Sequence, residues 1–295
     1  MPPSLSSSRS TASACVALTV AGSDSGAGAG VQADLKTFAA LGVYGASAIT
    51  ALTAQNTRGV QAVEAVTPQF VARQVQSVLE DMPVKVIKTG MLANAAIIQT
   101  LAQSLPSSIP LVLDPVMVAT SGDRLLADDA LQALRHTLIP RAYLMTPNLP
   151  EAAALLDEPV AQSVEQMTEQ AQKLLAYGAK AVLLKGGHLQ HGDEAVDVYL
   201  DQHQCELLRA RRVQTLNTHG TGCTLASAVA AFMARGLQTF EACREAKHYL
   251  TGALAAADRL QVGRGQGPVD HFYAFSYASV AENLPNTQEI SHDPE

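Results

Sequence analysis

The sequence predicts an α/β fold with three αβα layers around a mostly parallel central sheet, and three observations carry that expectation. Strand-like aliphatic runs and amphipathic helical runs alternate over about 245 residues with no interdomain linker, as successive βαβ units require. Apolar residues make up 47% of the 295 and aromatics only 4%, so the strands are filled by Val, Leu and Ala, as strands buried on both faces are. The first strand-like run also passes through a glycine-rich loop into a helix, the opening of a βαβ unit.

Residues 15–21, CVALTVA, are a short β-branched run that stops at Gly22-Ser23-Asp24 and read as a buried strand. The loop GSDSGAGAG leads into a helix with apolar positions 31, 35, 38 and 41 and Gly42 as its stop. Residues 45–54 read as a second strand and VQAVEAV as an alternating third, joined by the polar turn Gln55-Asn56-Thr57. Pro68 opens an amphipathic helix with apolar positions 71, 75, 78 and 79. VKVIKTGML is a strand with its exit loop, 94–104 a helix, and 111–117, LVLDPVM, a strand with Asp114 at the carboxyl end, where open α/β sheets bind ligands. A helix over 128–138, a strand at 143–145, the turn TPNLPE entering EAAALL, a helix over 163–177 and the strand KAVLLKGGH follow. Strands near 195–200 and 205–213 and helices over 223–235 and 239–260 close a domain spanning 15–274. The Ser-rich residues 1–14 and the polar residues 275–295 are expected to be disordered extensions.

Composition narrows the function. A net charge of -7, a pI near 5.6 and no basic stripe argue against a nucleic-acid partner. No apolar run reaches the roughly 18 residues needed to span a membrane. Cysteines at 15, 205, 223 and 243 are too scattered for a disulfide scaffold and form no zinc spacing, so a reducing, cytoplasmic setting is expected. Residues 1–14 do not read as a signal peptide, because the apolar run after them has only strand length. Gly28-Ala29-Gly30-Val31-Gln32-Ala33 matches the dinucleotide pattern G-x-G-x-x-A, but no acidic residue stands between Asp34 and Glu64 to hold a ribose. A Walker A loop is excluded, since the chain has no Gly-Lys dipeptide.

The stretch richest in chemistry is Asn217-Thr218-His219-Gly220-Thr221-Gly222-Cys223, set against the apolar run TLASAVAAFMAR, which reads as a buried helix. Gly220 and Gly222 let the backbone turn tightly around Thr221, and a helix N-terminus adds about half a positive charge, so the turn can cradle a phosphate on backbone N–H groups. Cys223 stands in the first turn, where the dipole is expected to lower a thiol pKa and supply a base near neutral pH. An ordinary loop with a small core cysteine is the competing reading. Asn148 and Glu151, three apart at a helix start, share a face and suit oxygen ligation of Mg²⁺, with helix capping as the competing reading. Lys185 ends a strand, where it could reach a triphosphate. A base beside an anion cradle points to phosphoryl transfer to a hydroxyl.

Together AGSDSGAGAGVQADLKTFAALGVYGASAITALTAQNT, LDPVMVATSGD, TPNLPEAAALL, LLKGGH and NTHGTGCTLASA, in this order, resemble the hydroxymethylpyrimidine and hydroxymethylpyrimidine-phosphate kinases of thiamine biosynthesis. The resemblance covers about residues 15–274 and implies a ribokinase-like fold. It also implies ATP-dependent phosphorylation of the pyrimidine alcohol and then of its monophosphate, with Mg²⁺, by a cytoplasmic homodimer. Matched by position, Gly220, Thr221, Gly222 and Cys223 would form the anion hole and base. Asp34 and Gln55 would bind the pyrimidine edge, with Gly22, Met91 and Val116 lining its pocket. Asn148 and Glu151 would serve the Mg²⁺-phosphate motif, and Lys185 and Thr218 the nucleotide. Ser25-Gly26-Ala27 departs from the family's more familiar Pro-Ser-Gly. A pyridoxal kinase of the same cysteine branch is the alternative, since both acceptors are hydroxymethyl groups on nitrogen heterocycles. A non-catalytic pyrimidine-binding regulator would keep Asp34 and Gln55, but would not need Asn148, Glu151, Lys185 and Cys223.

Overall fold

The first half of the chain lays down β1 (Val16–Asp24), α1 (Gly30–Ala40), β2 (Tyr44–Asn56), β3 (Gly59–Ala65), α2 (Pro68–Asp81), β4 (Val84–Thr89), α3 (Ala95–Ser104) and β5 (Leu111–Leu113). The second half adds α4 (Asp128–Ala133), β6 (Leu144–Met145), α5 (Leu149–Leu156), α6 (Val164–Leu175), β7 (Ala181–Lys185), β8 (Glu194–Asp201), β9 (Cys205–Arg211), α7 (Thr221–Ala234) and α8 (Thr239–Ala255). The computed structural model describes residues 14–117, 128–187, 189 and 192–275. The expected terminal extensions at 1–13 and 276–295, the end of LDPVMVATSGD from 118 on, and His188 lie outside the described residues.

The strands form one sheet in the order β3-β2-β1-β4-β5-β6-β7-β8-β9. From β2 to β7 neighbouring strands are parallel, while β3 folds back on β2 and β8 and β9 add an antiparallel ribbon beyond β7. Period-two alternation divides the strand side chains between two cores. Leu18, Val20, Ile87, Leu113, Met145, Val182 and Leu184 face the layer of α2, α3, α5 and α6. Ala17, Val86, Val112, Leu144, Ala181 and Leu183 face α1, α7 and α8. Helix α7 is buried along most of its length, which its all-round apolar composition requires.

Three expectations need correction. The strand over 111–117 ends at Leu113, because Pro115 has no N–H to continue a ladder; Asp114 still donates its N–H to Thr89 O at 3.0 Å. The helix over 128–138 is α-helical only to Ala133, then widens into a π turn over Leu134–Leu138 and tightens into a 3₁₀ turn at Ile139–Arg141, where Pro140 would interrupt α-helical bonding. The last long helix stops at Ala255, with a 3₁₀ turn at Ala257–Arg259 after it. No helix among the described residues is long and apolar enough to cross a membrane.

Among the described residues one ion pair is fully buried in the apolar interior. Lys88 on β4 donates to both carboxylate oxygens of Asp34 on α1 at 2.8 and 2.9 Å, and Thr19 on β1 and Ser227 on α7 each donate a hydroxyl to the same carboxylate at 2.6 Å. Removing one ion of such a pair leaves the other uncompensated, which costs about 3 to 5 kcal/mol. Lys88→Met should therefore lower the unfolding free energy by roughly that amount in urea titrations, and Asp34→Asn in the same chain should recover part of it. A Lys88→Met loss below about 1 kcal/mol would show the pair to be dispensable for stability.

Candidate active site

A cavity of about 620 Å³ opens at the carboxyl ends of the parallel strands, beside the switch point where β1 leads to β2 on one side and has β4 on the other. Gly22, Gln55, Met91 and Val116 line it, as do Asn148, Glu151, Lys185, Thr218 and Gly220 to Cys223. The fold thus brings together every site residue expected from the sequence except Asp34.

Two glycine loops form the floor. Gly220 caps α7 at φ +80°, and a Cβ there would lie 1.9 Å from Gly28 O; Gly30 starts α1 at φ +59°, and a Cβ there would lie 2.3 Å from Gly22 O. Backbone therefore packs on backbone, and any larger residue would separate the loops. The G-x-G-x-x-A stretch is spent on this contact. Ala27, in the segment that departs from the family pattern, takes φ +60°, a conformation that glycine adopts without strain. The Gly222 Cβ position lies 3.6 Å from Lys185 Nζ and 3.7 Å from Asp114 Oδ2, so the first turn of α7 faces these two groups across a gap that only a missing side chain leaves open.

The expected lowering of the Cys223 thiol is corrected. Burial pushes it up, to about 11, and Asp34 and Asp114 add to the rise; the Lys88 ammonium and a hydrogen bond from Gly30 N–H pull the other way without prevailing. The helix-terminus argument has the right sign but the smaller magnitude. Cys223 is a thiol at neutral pH in the resting protein.

Asn148 and Glu151 form a reciprocal capping box at the start of α5. Glu151 N–H donates to Asn148 Oδ1 at 2.8 Å, and Asn148 N–H donates to Glu151 Oε2 at 2.7 Å. The capping interaction is thus present, and it fixes both side chains at the cavity wall. Burial pushes the Glu151 carboxyl up to about 7, Lys185 opposes this and Asp114 reinforces it, while the N–H groups of Asn148 and Met117 lower it. Lys185 Nζ donates to Asp114 Oδ1 at 2.9 Å and stands 4.0 Å from Glu151 Oε2. Its own pKa is raised: burial lowers it, but the charges of Asp114 and Glu151 outweigh burial. Thr146 also donates to Asp114 Oδ1, at 3.0 Å, whereas Asp114 Oδ2 is buried without a hydrogen-bond partner. Two carboxylates thus share one ammonium, with one oxygen left over, an arrangement that fits a further cation. Among the described residues no three His, Cys, Asp or Glu side chains cluster as a metal site, so such a cation would take its remaining oxygens from phosphate or water.

Asp34 does not line the cavity. Its carboxylate is fully buried beneath the loops and takes the four hydrogen bonds already described, so the expected contact with a pyrimidine edge is corrected. The residues the sequence reading passed over are Asp24 and His219, which join the two loops: His219 Nε2 lies 2.8 Å from Asp24 Oδ2 and 3.4 Å from Gln55 Nε2. Asp24 also accepts N–H groups from Gly26 at 2.7 Å, Gly28 at 3.0 Å and Ala29 at 2.9 Å. The one available signal was a histidine inside a glycine turn and an aspartate at the end of the first strand.

Raising the folded-state pKa of Glu151 means that the folded protein holds this proton more tightly than the unfolded chain does. Stability should therefore fall as pH rises from about 4.5 to about 7 and level off above, by an amount on the order of a few kcal/mol. Glu151→Gln, which cannot ionise, should flatten that segment of a thermal-denaturation pH series. An unchanged slope would show that Glu151 ionises freely in the folded state.

The sequence profile of the family described as phosphomethylpyrimidine kinase matches residues 24–270. The hydroxymethylpyrimidine/phosphomethylpyrimidine kinase of Rhizobium meliloti is 52% identical over 259 residues, covering 88% of this chain and 97% of its own. Among solved structures, an ADP complex of Bacillus subtilis pyridoxal kinase aligns with a TM-score of 0.81 at 35% identity, over 89% of this chain and 99% of that one. The phosphomethylpyrimidine kinase of Clostridium difficile aligns at 0.70 with 41% identity, over 81% and 99%. Fold, loop chemistry and sequence agree, and the chain belongs to the phosphomethylpyrimidine kinase family, with the ribokinase-like fold of its structural neighbours.

Proposed function

We propose that this protein transfers the γ-phosphoryl group of ATP to the hydroxymethyl group of 4-amino-5-hydroxymethyl-2-methylpyrimidine, and then a second phosphoryl group to the resulting monophosphate, in thiamine diphosphate biosynthesis. The observation that carries this is one cavity with two chemically different ends meeting at Cys223. At one end, Gln55 beside Gly22, Met91 and Val116 suits a small heteroaromatic ring with a polar edge; at the other, the α7 N-terminus faces Lys185 and Asp114. Family membership supports the same activity, and ADP in a structural neighbour supports ATP as co-substrate. Pyridoxal kinase is the weaker reading, because the relatives named for the pyrimidine are closer in sequence. Cytoplasmic residence and a homodimer are part of the proposal, and four free cysteines suit the first.

In this reading the N–H groups of Gly220, Gly222 and Cys223 receive charge on the transferring phosphoryl, the Thr221 N–H closes the turn onto Thr218 O at 3.3 Å, and Lys185 and Thr218 hold the nucleotide phosphates. Glu151, Asn148 and Asp114 would hold a Mg²⁺ ion, which when bound supplies neutralisation of phosphate charge. Cys223 Sγ takes the proton of the attacking hydroxymethyl group. The transition state of phosphoryl transfer is loose, so that proton leaves late and a group of high pKa can accept it.

The pH dependence follows from the raised thiol. Only the thiolate accepts a proton, so with chemistry rate-limiting kcat should climb toward tenfold per pH unit through the range below about 11. Cys223→Ala should bind ATP normally, lose roughly 10²- to 10⁴-fold in kcat and lose the climb. A flat profile in the unmutated enzyme, or near-normal turnover in the variant, would return Cys223 to a packing role. For the activity itself, ATP consumption should be measured with the pyrimidine alcohol, its monophosphate and pyridoxal; faster turnover on pyridoxal would favour the second reading.

A further inference from the structure

Hydrogen-bond accounting around Gln55 leads beyond its contact with substrate. Asp24 accepts three backbone N–H groups and is held in its ionised form: burial opposes this, but the His219 hydrogen bond and the N–H groups of Ala29 and Gly26 outweigh burial. A carboxylate has no proton to give. The 2.8 Å contact between Asp24 Oδ2 and His219 Nε2 therefore requires the proton on Nε2, and Nε2 is a donor. The Gln55 amide group 3.4 Å from that nitrogen must then present its oxygen, as the longer arm of a three-centre bond whose proton is shared with Asp24, because an amide N–H₂ would set donor against donor.

The other side of the amide gives the same answer independently. Thr53 Oγ1 lies 3.0 Å from Ser23 O and 3.1 Å from the Gln55 amide, and its single proton can satisfy only one of them. If Gln55 turns its N–H₂ toward Thr53, reversing the orientation in which Oε1 and Ser23 O compete for one proton, the hydroxyl accepts from Gln55 and donates to Ser23 O, and both Thr53 contacts are matched. Ser25 holds the strand beneath: its hydroxyl donates to Gln55 O and accepts from Gln55 N–H, both at 2.8 Å. The Gln55 backbone is thus fixed from the first loop, and its side chain from His219 in the second loop and Thr53 on β2.

We propose that Asp24 and His219 form a relay that locks the Gln55 amide in one orientation and so sets which donor-acceptor order the substrate edge must show. His219 and Asp24 act here as positioning residues, through Gln55. The proposal rests on the reading of Gln55 as the contact to the pyrimidine edge. An aminopyrimidine offers an exocyclic N–H donor beside a ring-nitrogen acceptor; the 4-oxo analogue, as the lactam, offers a C=O acceptor beside a ring N–H donor. A locked amide matches only one of the two orders, whereas an amide free to rotate by half a turn matches either.

The test is a double-mutant cycle read as kcat/KM for 4-amino-5-hydroxymethyl-2-methylpyrimidine over that for its 4-oxo analogue, with the KM for ATP and the melting temperature recorded for each variant. The unmutated enzyme should prefer the amino compound roughly ten- to a hundredfold, the cost of one mismatched buried edge. His219→Leu should reduce that preference to within about threefold while leaving the KM for ATP in place, and His219→Gln, whose amide can donate to Asp24, should restore most of it. In the Gln55→Leu background, His219→Leu should have no further effect. If Gln55→Leu alone leaves the KM for the aminopyrimidine unchanged, the Gln55 contact itself is wrong and the relay goes with it. If Gln55→Leu raises that KM but the two substitutions add, or if His219→Leu raises the KM for ATP equally and His219→Gln rescues nothing, the contact stands and the relay is overturned.

Discussion

The buried Asp34–Lys88 pair is the constraint on which the arrangement of the site depends. Its ions come from α1 and β4, and its remaining hydrogen bonds from β1 and α7, so one carboxylate ties two helices to two adjacent strands. In an apolar interior a charge must be paired and its lone pairs filled, and four hydrogen bonds from three side chains to one carboxylate allow little sliding of α1 against α7. The N-termini of these helices are the two glycine loops. The contact between Gly28 O and Gly220 is therefore set from below by charge and not by the loops alone.

The same pair shapes the chemistry above it. The charge of Lys88 lowers the thiol of Cys223, Lys185 interacts with the same thiol, and Asp34 beneath Lys88 opposes them. With Asp114 also near, the resting site favours protons on both Cys223 and Glu151. Lys185 alone cannot offset Asp114 and Glu151 together. A site with this imbalance favours added positive charge at its carboxylates, and phosphates arriving with such a cation would meet the α7 N-terminus across the gap, as the proposed function requires.

Much of this was legible in the sequence, and the misses have physical causes. The parallel sheet was legible because aliphatic runs and glycine stops recur at βαβ spacing, and the cradle because Gly220 and Gly222 directly precede an apolar helix. Asn148 and Glu151 were legible as sharing one face, but i, i+3 spacing serves capping and ligation alike, and only coordinates show the reciprocal bonds. Asp34 was assigned to the substrate through the family resemblance, and the residue pattern gave no check on it, because a helix beside a glycine loop faces a site as readily as a core. Its partner Lys88 stands 54 positions away. A lysine between Ile87 and Thr89 in a strand covered on both faces did announce a buried counter-charge, without saying which. For Cys223 the dipole was visible and the burial was not.

The structural kinship with pyridoxal kinases carries a final consequence. A backbone shared between enzymes named for different heterocyclic alcohols cannot itself decide which alcohol is used. In the proposed mechanism the anion cradle, the capping box and Lys185 would all act on phosphate, which the two reactions have in common. Discrimination must lie in the few side chains that meet the ring, and among these Gln55 is the one whose polar edge has a direction. An amide is nearly symmetric in shape but not in hydrogen bonding, so a site that reads with glutamine is specific only as far as the glutamine is held. That makes the loop residues behind Gln55, which touch neither phosphate nor ring in this reading, part of how substrate choice is made.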